Sequence, residues 1–130
     1  MIDREVGETR LRKEEEPAEI TIVDVSGCIK VMQFSGGEID LSNCSMISES
    51  FGVHHKEGDR WVFDLSNISF MDSEAIKSLL ICIRRVGLDF VAFICNKGSM
   101  PFRVLKLSGL AELVSIYNDN EQAVENLRVR

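Results

Sequence analysis

The 130-residue chain predicts an α/β fold on a small mixed, mostly parallel β-sheet. Three observations predict it. After one hairpin-like pair of strand patterns, strand-type and helix-type segments alternate, the order that builds parallel crossover units. The runs RWVFDL (60–65) and FVAFIC (90–95) are apolar almost throughout, as strands covered on both faces are. Helix-type segments are punctuated by cap residues in front and glycines behind, at Asp72 and Gly87 and again at Ser99 and Gly109.

Each element follows in order. Residues 1–16 carry mixed charge and little to bury, so they read as a flexible arm, with Pro17 as the boundary of a domain spanning 17–130. EITIVDV alternates and is β-branched, predicting a strand over 20–25; CIKVMQF predicts its hairpin partner over 28–34 after the Ser26-Gly27 turn. Gly36-Gly37 interrupts the chain. A helix is expected over 43–51, with Ser42 or Asn43 as its cap and Cys44, Ile47 and Phe51 on its apolar face. A buried strand follows over 60–65, and a strand-like apolar segment ends at Phe70-Met71. A helix then opens at Asp72-Ser73, buries Ile76, Leu79, Leu80 and Ile83, and stops at Gly87. The strand over 90–95 leads to a helix with Ser99 as cap and Pro101 in its first turn. A last strand over 113–117 precedes a helix with Ala123, Val124 and Leu127 inward. The initial hairpin belongs at a sheet edge, and the loops at the carboxyl ends of the parallel strands form the rim where sites of such sheets sit.

Bulk properties exclude several functions. Net charge is −6, with no basic face to displace counterions from nucleic acid or to dock on anionic lipid. No apolar run reaches the roughly 18 residues a membrane span needs, and MIDREVGETR lacks the apolar core of a signal peptide. Cys28, Cys44, Cys82 and Cys95 are scattered among apolar neighbours, which reads as buried thiols in a reducing cytosol. No phosphate-binding loop, dinucleotide fingerprint or nucleophile elbow is present. His54-His55 reads as a solvated helix end, because adjacent helical residues do not share a face for a metal. Asp40, Asp64 and Asp72 fall near loop ends with no nucleophile at a fixed offset, and Asp40 and Asp72 read as turn and cap residues. These observations predict no enzyme, no metal and no cofactor.

Ser73 is the open question. A serine at a helix start is usually a cap, but Asp72 competes for that role. If Asp72 takes it, the Ser73 hydroxyl is left over, at a position where free N–H groups and the helix dipole favour negative charge.

The residues FDLSNISFMDSEAIKSLL resemble the signature of the STAS domain of anti-sigma factor antagonists, in which a strand leads through a loop to Asp-Ser at a helix start. GGEIDLSN is similar to that family's Gly-Glu-Leu-Asp loop. FVAFIC with SMPFRVLKLSGL resembles its later strand and helix, and VSIYNDNEQAVENL its closing segment. The resemblance covers about residues 17–130 and implies a STAS-like sheet with helices packed mainly on one side. It implies a cytoplasmic signalling module that binds a partner acting as both anti-sigma factor and serine kinase, thereby freeing sigma factor. It makes Ser73 the phosphorylation site, with a phosphatase to reset it. The implied partner surface comprises Asp40, Leu41, Ser42, Asp72, Ser73, Glu74, Ile76 and Lys77. Where the family commonly has Ser-Gly or Thr-Gly after the acceptor, this chain has Glu74-Ala75. That departure favours an alternative, a non-phosphorylated STAS scaffold or accessory subunit of a sensory or transport complex.

Overall fold

The computed structural model describes residues 17–129; the expected arm over 1–16 lies outside them. The elements run β1 (Glu19–Ser26), β2 (Ile29–Ser35), β3 (Glu38–Ile39), α1 (Ser45–His54), β4 (Arg60–Asp64), β5 (Phe70–Met71), α2 (Ser73–Val86), β6 (Val91–Ile94), α3 (Met100–Leu107), β7 (Ser115–Tyr117) and α4 (Asn120–Arg128), with short 3-10 turns at Leu88–Phe90 and Leu110–Glu112. The main sheet has the order β1-β2-β4-β6-β7. β1 and β2 form the antiparallel hairpin at one edge, and every other pairing in the sheet is parallel.

Side chains alternate across this sheet as the two-residue strand period requires. Met32, Phe34, Trp61, Phe63 and Phe93 point to one face, where α1, α2 and α3 cover them with Ile47, Phe51, Ala75, Leu79, Cys82 and Leu105. Ile29, Val31, Val62, Ala92 and Ile94 point to the other, where α4 lies, contributing Ala123, Val124 and Leu127. The central strands are therefore buried on both sides, and among the described residues three of the four α-helices share one face. The expected helix caps at Asp72 and Ser99 are in place: Asp72 accepts from the N–H groups of Glu74 and Ala75, and Ser99 from that of Phe102.

β4 stops at Asp64, whose carboxylate turns the chain by accepting from the Ser66 N–H at 3.0 Å and its hydroxyl at 2.6 Å. Phe70–Met71, the expected end of a strand-like segment, is a separate strand, paired in parallel with β3 in a second, two-stranded sheet. Three expectations need correction. Neither Ser42 nor Asn43 caps α1, which starts later, after Cys44, with no side-chain cap bond. Cys28 is exposed, whereas Cys44, Cys82 and Cys95 are buried as expected; burial pushes the Cys82 thiol up to about 12.

The third concerns His55. His54 is exposed, but His55 is built into the core's margin. Its ring stacks on Phe51 at 4.6 Å, and its Nδ1 accepts the indole N–H of the fully buried Trp61 at 2.9 Å. That bond places the imidazole proton on Nε2. Burial, then the nearby Arg85 charge, hold the imidazole below its ordinary range despite the opposing pull of Asp59. Beside it, Lys30 donates to Asp59 at 2.6 Å, each residue 8% exposed. Burial raises the Asp59 carboxyl, but the Lys30 bond and the Lys56 N–H outweigh it and leave it below its usual range, while Lys30 is raised chiefly by the same bond.

Two predictions follow from these contacts. His55 in the unfolded chain titrates near 6.5 and in the folded chain below that. Its stabilising contribution is therefore complete above the unfolded value and is lost as pH falls through it. Denaturant unfolding should show wild type losing stability between about pH 7.5 and about pH 5.5, with His55→Gln, which keeps an acceptor for Trp61, giving a flatter profile. The second concerns two left-handed glycines. At Gly27 (φ +53°) an added Cβ meets nothing within 4 Å, whereas at Gly36 (φ +84°) it would sit 2.4 Å from the Pro17 carbonyl oxygen. Gly27→Ala should cost about 1 kcal/mol by thermal unfolding. Gly36→Ala should cost clearly more, because the Pro17 backbone must also move.

Candidate functional site

The rim at the carboxyl ends of the parallel strands is assembled from two loops. One runs from Gly36 through β3 to α1, the other from β5 into α2. Their junction centres on the Gly37 carbonyl, which accepts from the Ser69 N–H at 2.7 Å, the Phe70 N–H at 3.1 Å and the Ser69 hydroxyl at 3.0 Å. One step further, the Asp72 N–H donates to the Ile39 carbonyl at 3.3 Å. The β3–β5 ladder thus brings Asp40 beside Asp72, although 32 positions separate them in sequence.

Each loop is stiffened by its own polar side chains. The Asp40 carboxylate accepts from the Ser42 N–H at 2.9 Å and from the Ser42 hydroxyl at 2.6 Å, closing an Asx turn. The Asn43 amide accepts from the Asp40 N–H at 2.9 Å and donates to the Glu38 carbonyl at 3.0 Å. These bonds use the two residues expected to cap α1, and they leave Leu41 pushed outward, 72% exposed. Reading the sequence overlooked Asn43 and Ser69 as bracing residues; the D-L-S-N spacing carries the Asx-turn signal that locates the first.

On the second loop, Asp72 has extended backbone (φ −114°, ψ −174°) and caps α2 through bonds of 3.0 and 3.3 Å to the Glu74 and Ala75 N–H groups. Such a cap contributes about 1 kcal/mol. Ser73 is consequently the first helical residue and is exposed. Its hydroxyl has no hydrogen-bond partner among the described residues. Glu74 is half-buried and forms an ion pair with the exposed Lys77, one turn on, at 3.2 Å. Ile76, expected on the partner surface, is instead 5% exposed and belongs to the core, because position N4 of α2 faces the sheet. The rim therefore presents Leu41, Ser42, Ser73 and Lys77 as exposed side chains around the half-buried Asp40, Asp72 and Glu74.

Among the described residues no group of histidine, cysteine and carboxylate side chains is arranged to hold a metal ion. None of their helices is long and apolar enough to cross a membrane. A cleft of about 940 Å³ lies on the α4 face between that helix and the edge hairpin, and none of Asp40, Asp72 or Ser73 lines it. What the rim offers chemically is one free hydroxyl at a helix N-terminus, framed by carboxylates and two outward-facing loops.

Comparison with known proteins agrees with this architecture. The chain is 27% identical over 110 residues to the anti-sigma-F factor antagonist RsfB of Mycobacterium tuberculosis, spanning 84% of this chain and 88% of that protein. Its fold matches the crystal structure of an anti-sigma factor antagonist from Mycobacterium paratuberculosis, with a TM-score of 0.74 at 21% identity over 86% of this chain and 95% of the other. It also matches the anti-sigma factor antagonist SpoIIAA in its unphosphorylated form, with a TM-score of 0.62 at 18% identity over 85% and 98%. The family model for the STAS domain matches residues 18–123, the whole of the sheet and three and a half of its helices, and the chain belongs to the STAS domain family.

Proposed function

We propose that this chain is a phospho-switched binding module of the anti-sigma factor antagonist type, cytoplasmic and without catalytic activity of its own. Unphosphorylated, it binds an anti-sigma factor that is also a serine kinase and so frees a sigma factor. Phosphorylation of Ser73 weakens that binding, and a phosphatase restores it. The observation that carries this reading is the division of labour at the start of α2. Asp72 does all of the capping, and Ser73 is left exposed with an unengaged hydroxyl. The relatedness to RsfB, an anti-sigma-F factor antagonist by name, supports the partner class.

The switch operates through local charge and bulk. A phosphate on Ser73 adds about −1.5 to −2 charge at neutral pH, at a helix N-terminus that tolerates it. It arrives on a rim already carrying Asp40, Asp72 and Glu74. A partner seated over Leu41, Ser42 and Ser73 meets both the new charge and the new volume, while the domain itself stays folded.

One observation favours a second reading, a STAS scaffold or accessory subunit that is not phosphorylated. Glu74 sits directly after the acceptor position and occupies Lys77, so the cation one turn on is already neutralised.

The two readings separate experimentally. Incubation with ATP and the cognate kinase, followed by mass spectrometry, should add one phosphate on Ser73, and a chain left unmodified would favour the scaffold. In binding assays with the anti-sigma partner, Ser73→Ala should remain folded and bind persistently, its stability within about 0.5 kcal/mol of wild type because Asp72 keeps the cap. Ser73→Asp should bind at least about tenfold more weakly. Equal affinities for the two variants would remove the switch.

A further inference from the structure

At the opposite pole, where the parallel strands begin, a cleft of about 420 Å³ is lined by His55, Gly58, Asp59, Arg60, Arg85 and Phe90. We propose that this cleft is an oxyanion-binding site that takes a phosphate group, held by Arg60, Arg85 and the His55 ring N–H. It is separate from the Ser73 rim and does not rest on the function proposed for it.

Both arginines are held in position without being neutralised. The Arg60 guanidinium lies 5.0 Å over the Phe90 ring and donates to the Leu127 carbonyl through one terminal nitrogen, leaving its other N–H groups available. The Arg85 guanidinium lies 5.3 Å over the Phe51 ring. Among the described residues neither pairs with a carboxylate. Stacked, planar guanidinium groups present forked donors suited to phosphate, with part of the ordering cost already met.

The third donor follows from the core. Because His55 Nδ1 accepts the Trp61 N–H, its ring proton sits on Nε2 and the imidazole serves as a neutral donor. The one buried acid at the site does not oppose an anion. Asp59 is matched by Lys30 at 2.6 Å and also accepts the Lys56 N–H at 2.8 Å. Glu57, at the mouth, is the remaining acid of the lining. In a chain of net charge −6, a concave site with two carboxylate-free arginines is an electrostatic exception, and its volume lies in the range of small-ligand sites.

The test is an NMR titration of the full chain with inorganic phosphate, with sodium acetate at matched ionic strength as the control. Saturable shifts confined to Gly58, Arg60, Arg85 and His55, with Ser73 unmoved, are expected. Arg85→Gln, a change at an exposed position that leaves the fold intact, should weaken phosphate binding at least about fivefold, a loss of about 1 kcal/mol. A parallel titration with phosphoserine distinguishes the source of the group: tighter binding than inorganic phosphate assigns the site to phosphorylated side chains, and equal binding to small phosphates. Non-saturating shifts, shifts reproduced by acetate, or an Arg85→Gln titration identical to wild type would each overturn the proposal.

Discussion

Burial of β4 on both faces is the constraint from which the rest of this molecule follows. Trp61 and Phe63 fill one face and Val62 the other, all fully buried. A strand covered twice needs helices on both sides of the sheet, and parallel neighbours can be joined only by crossovers. Each crossover leaves the sheet at the carboxyl end of a strand, so the start of α2 is delivered to that rim. Ser73 is at the surface because the strand preceding it is in the core.

A two-residue ladder turns that placement into a site. Without β3 and β5, the Gly36–Asn43 loop and the start of α2 would be two independent surface segments. The Gly37 carbonyl, with three donors converging on it, and the Asp72–Ile39 bond fix them as one surface. Asp40 and Asp72 then play different parts with the same chemistry. Asp40 closes its own loop around Ser42, and Asp72 satisfies two helix N–H groups. Both carboxylates are spent on structure, which is what leaves the serine hydroxyl uncommitted.

The two ends of the sheet differ in charge character. The carboxyl-end rim gathers Asp40, Asp64, Asp72 and Glu74, while the strand-start pole holds Arg60 and Arg85 against aromatic faces. The Lys30–Asp59 pair and the Trp61–His55 bond settle the buried polar groups at that second pole. A buried acid and a buried lysine are tolerable only together, since either alone would leave an uncompensated charge.

Local patterns in the chain determined the element order, the double burial of the strands within the 60–65 and 90–95 runs (though not of Phe90, which is exposed), the Asp72 and Ser99 caps and the inward faces of α2 and α4. These depend on residues a few positions apart, where periodicity and capping chemistry are decisive. Asp72's role decided Ser73's, so the candidate hydroxyl was legible too. The tertiary structure alone decided the β3–β5 pairing and the transfer of His55 from solvated end to indole acceptor. Each depends on a partner in another element: Gly37 with Ser69, Glu38 with Phe70, Phe51 and His55 with Trp61. A pattern read along one strand or helix holds no information about which backbone carbonyl will lie opposite it, and that opposition is what made the site.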